Sequence, residues 1–121
     1  MVLLINLLVA IIALEHLWFL FIEMFLWTKP LGRKIFKLDP DFAQKSASLA
    51  ANQGLYNGFL SAGLLWSLCT SSEEFALSLK VFFLSCVLVA GLYGAYSVGK
   101  TILWVQALPA ALTLALIYFL Y

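Results

Sequence analysis

Charge is what this sequence has least of. Asp, Glu, Lys and Arg together make up 11% of its 121 residues, where a water-soluble domain carries roughly 25%. That shortage excludes an ordinary hydrated surface. The net charge is only +1, too little for the dense basic face that nucleic acid needs, so no nucleic acid partner is expected. Histidine occurs once, as His16, which makes a poor case for a multi-histidine metal site. Two carboxylates and one imidazole also fall short of the repeated Glu-x-x-His pattern of carboxylate-bridged metals. No metal and no cofactor, haem included, is expected. Cysteine occurs twice, as Cys69 and Cys86, with no Cys-x-x-Cys spacing. Their expected depths argue against a disulfide and for a packing role. Proline falls at three positions, each of which should break, start or bend a helix. There is no nucleophile elbow, P-loop, dinucleotide fingerprint or HExxH motif.

What the chain has instead is apolar length. Hydrophobic residues make up 64% and the mean hydropathy is +1.03. Four runs of eighteen or more mostly apolar residues read as membrane spans, at about 2–27, 46–69, 75–98 and 102–121. The fold class is therefore expected to be all-α, a four-helix transmembrane bundle forming a single domain over residues 1–121. The first span has no basic n-region and no small-x-small cleavage site, and it holds acids. It is expected to be retained rather than cleaved.

The connections carry start and stop signals. Lys29-Pro30 ends the first helix, and Asp39-Pro40 reads as an N-cap with proline at the first helical position. The second helix should therefore begin near Pro40 and run to about Cys69. In the short turn 70–74, Ser71 with Glu74 makes a capping box for the third helix. Pro109 should bend the fourth.

Lys29, Arg33, Lys34, Lys37 and Lys45 in the first loop and Lys100 in the last turn share one side of a four-span protein. The positive-inside rule puts that side in the cytoplasm and both termini outside. Lys80 is the remaining base. It is expected to snorkel to the outer headgroups, with Glu73 as a partner.

Two helices carry small residues at four-residue spacing: Ala50, Gly54, Gly58 and Ala62, then Cys86, Ala90 and Gly94 with Gly91 and Ala95. Such stripes bring helices close in lipid, within one bundle or along the seam of a homodimer.

The polar side chains need explaining, because an ionisable group in hydrocarbon costs several kcal/mol unless paired, neutralised or hydrated. Glu15 and His16 fall near mid-depth of the first span, and Glu23 lies about a turn from its cytoplasmic end. Asn52, Gln53, Tyr56 and Asn57 on the second span, Tyr93 on the third and Gln106 on the fourth fall in the same half. The outer half reads as almost purely aliphatic and aromatic. The expectation is a polar pocket opening toward the cytoplasm and sealed outside, with those nine side chains as ligand contacts. Interhelical hydrogen bonding is the bland counterpart for the four amides.

Several stretches resemble one family. Ala13-Leu-Glu-His16 with Glu23-Met-Phe-Leu-Trp27, the run Asn52-Gln-Gly-Leu-Tyr-Asn-Gly58, Ala90-Gly-Leu-Tyr-Gly94 and Gln106-Ala-Leu-Pro109 are similar to the small integral membrane proteins of domain of unknown function 1304. The resemblance covers the whole chain. It implies a predominantly bacterial four-span protein, hence the inner membrane, and implies no activity. Ala107 departs from its pattern, which has glycine after the glutamine.

Three functions fit these residues. The first is binding or passage of a small amphipathic or lipid-like molecule, with Trp18, Phe19, Tyr56, Tyr93 and Trp104 lining the site. The second is an acid–base enzyme, isomerase-like, using Glu15 and His16. The third is an accessory subunit of a larger membrane complex. Membrane lipids are partners in all three.

Overall fold

The computed structural model describes residues Met1–Tyr121 and contains helices and no strands. Helix α1, Val2–Phe21, runs without a break into a π turn, Ile22–Leu26. Helix α2, Pro30–Phe36, lies where the sequence suggested only a loop. Pro30 ends one helix and begins the next, since its missing N–H is not needed at a first helical position. Lys37 closes α2 in the left-handed region at φ 53°, and Leu38 N–H returns to the Arg33 carbonyl at 2.8 Å. That turn satisfies a terminal carbonyl of α2 at a cost to lysine on the order of 1 kcal/mol.

Helix α3, Pro40–Cys69, starts where Asp39-Pro40 indicated. The Asp39 carboxylate accepts the backbone N–H groups of Asp41 at 3.1 Å and Phe42 at 3.2 Å. Helix α4 is Glu73–Ser97, capped by Ser72, whose hydroxyl accepts from Phe75 N–H at 3.3 Å. The capping serine is thus one residue later than the sequence suggested. A second π turn, Leu103–Ala107, precedes helix α5, Leu108–Leu120. It has a plain cause: Pro109 follows it, offers no N–H and crowds the carbonyl four residues back. The wider turn, in which Leu108 N–H reaches Leu103, accommodates that ring.

Three stretches are long and apolar enough to cross a membrane: Val2–Leu26, Glu73–Ser97 and Leu103–Leu120, at mean hydropathy 2.2, 2.2 and 1.9. Helix α3, at 30 residues, is long enough but is not among them. Its apolar pattern is interrupted by Asn52, Gln53, Asn57 and four serines (46, 48, 61 and 67).

The chain divides into two compact units, Met1–Ala13 with Ala62–Tyr121, and Leu14–Ser61. In the first, Ile5, Val9 and Ala13 bury one stripe of α1, and Ala107, Ala110, Thr113 and Ile117 bury one stripe leading through α5. These spacings of three and four are one helix face. Gly91 explains the closest approach: a Cβ there would lie 2.8 Å from the Ala107 nitrogen and 3.0 Å from its Cα and Cβ. Ala107 is fully buried against that bare glycine. The Ala107 methyl is therefore housed by Gly91.

In the second unit, α3 buries Ala43, Ala50, Gly54 and Ser61. A Cβ on Gly54 would lie 2.9 Å from Met24 Cγ, 3.0 Å from Glu23 Cβ and 3.1 Å from the Leu20 carbonyl, and one on Gly58 would overlap Leu20. Gly32 packs α2 so tightly that a Cβ would overlap the Leu26 carbonyl. Trp27 Nε1 donates to Ser46 Oγ at 2.9 Å, and that hydroxyl donates on to the Phe42 carbonyl at 2.6 Å.

Candidate functional site

The unit Leu14–Ser61 holds the three ionisable residues of the first span. Glu23 sits in the π turn, and its Oε1 accepts from Asn57 Nδ2 at 2.9 Å. The two backbones can come that close because Gly54, one turn earlier on α3, has no side chain to hold them apart. A carboxylate that accepts an amide N–H at a bare helix crossing is an acceptor fixed in position, with its second oxygen still able to accept. A π turn commonly places a functional side chain, because the extra residue rotates it off the regular helix face. Glu23 lies in such a turn.

His16 is completely buried, with its ring edge against Phe19 at a centroid distance of 5.5 Å. Glu15, half-buried, points to the neighbouring face and makes no ion pair or hydrogen bond within the chain. Side chains of residues 15 and 16 diverge by ~100° on a helix, which is why one is enclosed and the other is not.

The remaining residues separate. Asn52, Gln53 and Tyr56 are exposed, on the flank of α3 turned away from the stripe that carries Gly54 and Asn57. Tyr93, 70% exposed, faces outward as well. Gln106 belongs to the other unit, where its Nε2 donates to the Val87 carbonyl at 3.3 Å. Like Glu23 it lies in a π turn, but its work is a link between helices. Of the aromatic residues expected to line a site, Trp18 and Trp104 are exposed and Phe19 is half-buried against His16. The structure thus joins Glu23 with Asn57 directly and keeps Glu15 and His16 on the same helical stretch.

Sequence reasoning missed one polar contact outright. Lys80 does not pair with Glu73; its Nζ donates to Asn6 Oδ1 at 2.6 Å. Asn6 is the one polar side chain in the first fourteen residues, and that isolation was the available signal. The unit that holds both has a cavity of about 450 Å³ with Asn6 and Lys80 in its wall, in the half read as almost purely aliphatic and aromatic. A second, shallow and apolar hollow of about 440 Å³ lies along α1 at Leu14, Leu17 and Phe21. No group of three or more His, Cys, Asp or Glu residues is arranged to hold a metal ion.

Residues 10–118 match the family described as Protein of unknown function (DUF1304). The chain belongs to that family. One similar relative is described as the uncharacterized protein YpaA of Lactococcus lactis subsp. lactis, 28% identical over 111 residues, which cover 90% of this chain and 92% of the relative. No solved structure matches the chain. The residues that joined in the structure, Glu23 and Asn57, both lie inside the stretch matched to this DUF1304 family.

Proposed function

We propose that this DUF1304 protein is a four-span integral membrane protein, its basic first loop in the cytoplasm and both termini outside. Its polar site opens toward the cytoplasmic side and binds or passes a small amphipathic, lipid-like molecule. The helix Pro40–Cys69 is the fourth span, less apolar than the other three because it contributes the amides. What supports the membrane reading, beyond apolar length, is exposure. Leu3 at 72%, Val89 at 67% and Phe119 at 83% are large apolar side chains turned outward on separate helices, costly in water and neutral in lipid.

The observation that carries the binding site is the Glu23–Asn57 bond at 2.9 Å, about two turns along the same helical stretch from Glu15 and the buried His16. A membrane helix keeps such groups where they have a ligand or a proton to handle. The test is labelling with a photoreactive amphiphile in membranes. Labelling of the peptide around residues 15–27 that falls in Glu23→Gln and Asn57→Ala supports the site; unchanged labelling in both variants rejects it.

One observation favours the acid–base reading as second: Glu15, one residue before the buried His16, is half-buried without a partner in the chain. A carboxyl so placed is free to exchange a proton with a bound substrate. Glu15→Gln separates the two readings. Retained amphiphile labelling with loss of turnover is the enzyme's signature, and turnover that survives the substitution rejects it.

A further inference from the structure

Lys80 lies two turns into α4, within an apolar stretch of mean hydropathy 2.2. Its single bond goes to a neutral amide oxygen, Asn6 Oδ1. The one ion pair in the chain is Lys45–Asp41, elsewhere. An ammonium has three donors, so two N–H groups and the whole positive charge of Lys80 have no counterpart in the chain. Lys80 lines a cavity of about 450 Å³, a size typical of small-ligand sites. Thr70 and Glu73 line the same cavity near the start of α4, and Leu77 and Ile117 supply its apolar wall.

The register orders these charges. Glu73 and Lys80 are seven residues apart, within ~20° around the helix and separated by about 10 Å along it. An acid thus stands at the helix start, an ammonium two turns deeper, and hydrocarbon-like side chains between and around them. We propose that this cavity binds the zwitterionic headgroup of a phospholipid, the phosphate on Lys80 and Asn6 and the lipid's ammonium toward Glu73. A phospholipid in either leaflet presents those parts in that order from the surface inward, with its acyl chains below. A purely anionic headgroup meets Glu73 as a like charge, and a purely cationic ligand meets Lys80. The assignment rests on the membrane reading of the chain but not on the Glu23 site.

The experiment incorporates the protein into nanodiscs of equal parts phosphatidylethanolamine and phosphatidylglycerol, transfers it to mild detergent, and counts retained lipid by native mass spectrometry. The wild-type chain should retain one phosphatidylethanolamine in preference to phosphatidylglycerol. Lys80→Gln should lower that retention at least about fivefold, the scale of one lost charge-assisted contact. Lys80→Arg should keep it, as should Lys100→Gln in the exposed turn. Glu73→Gln, at the exposed helix start where folding is not at stake, should shift the preference toward phosphatidylglycerol. Should Lys80→Gln fail to fold, that reversal decides alone. Equal retention of the two lipids by the wild type, or a preference unmoved by Glu73→Gln, overturns the headgroup assignment. Displacement of the lipid by an equal concentration of soluble glycerophosphoethanolamine assigns the site to a free solute and overturns the lipid as occupant. A chain that fails to enter nanodiscs overturns the membrane reading together with this one.

Discussion

Asn57 does for Glu23 what a lysine would do at greater cost. A neutral amide steadies a carboxylate without burying a second charge, and it leaves one carboxylate oxygen available. Removing it should therefore loosen the site more than the fold. Asn57→Ala is expected to destabilise the protein by about 0.5–2 kcal/mol, the range for hydrogen bonds between membrane helices, measured by unfolding in mixed micelles. Asn57→Asp should cost more, since it sets two carboxylates against each other; a variant as stable as the wild type would contradict the contact. Part of this residue-level picture was legible in the sequence, which put Glu23 and Asn57 in the same half of the apolar segments; their bond was not, because counting set Glu23 about one turn and Asn57 about three turns from the loop end. Asn52, Gln53 and Tyr56 lie exposed rather than beside Asn57's bond, for a physical reason. Depth along a helix follows from counting, but which flank is buried follows from the small residues, and Ala43, Ala50 and Gly54 turn those three outward. Asn6 was overlooked because one amide in an aliphatic run has no periodic partner, and its lysine is 74 residues away.

At the scale of elements, glycine decides how closely helices pack. The order of sensitivity should follow the space at each. Gly32→Ala forces a methyl onto the Leu26 carbonyl and should be the most damaging. Gly54→Ala and Gly91→Ala meet backbone atoms at 3.1 Å and 2.8 Å and should each cost about 1–3 kcal/mol, as overpacking does. Gly99→Ala has nothing within 4 Å and should be close to neutral. Thermal unfolding of the four variants checks the ranking, and a Gly99 variant less stable than Gly54→Ala would break it. Because two of the three atoms that crowd a Cβ on Gly91 are backbone atoms of residue 107, Ala107→Gly should recover only a part of the loss from Gly91→Ala, a coupling a double-mutant cycle reads directly. The small-residue stripes showed in the sequence that close contacts exist. They did not show the two π turns, since neither a five-residue hydrogen-bonding step nor its register shift leaves a compositional mark. Pro109 was the sole hint.

For the whole molecule, the proposed topology is the property most open to a simple test. In a chain with Cys69 and Cys86 replaced by serine, a cysteine at Lys34 should resist a membrane-impermeant maleimide in intact cells, and one at Ser71 should react. The reverse pattern would invert the orientation, and reaction at both would remove the span between them. The helical class and the apolar segments were plain from hydropathy alone. The status of Pro40–Cys69 was not, because its amides and serines lower its hydropathy below that of the other three segments.

The π turn at Ile22–Leu26 also bears on how this sequence can change in length. An i→i+5 step holds one residue more than the α-helix it interrupts, so the first span tolerates a single-residue deletion there as a helix but not as a site. Losing Phe25, for example, would let the segment close as continuous α-helix, and because the wide turn has already absorbed that residue's ~100°, Trp27 would still meet Ser46 and α2 would keep its recess at Gly32. Members of the family that lack this residue should therefore differ at position 23, whose side chain the turn displaces, while keeping positions 27, 32 and 46 as they are here.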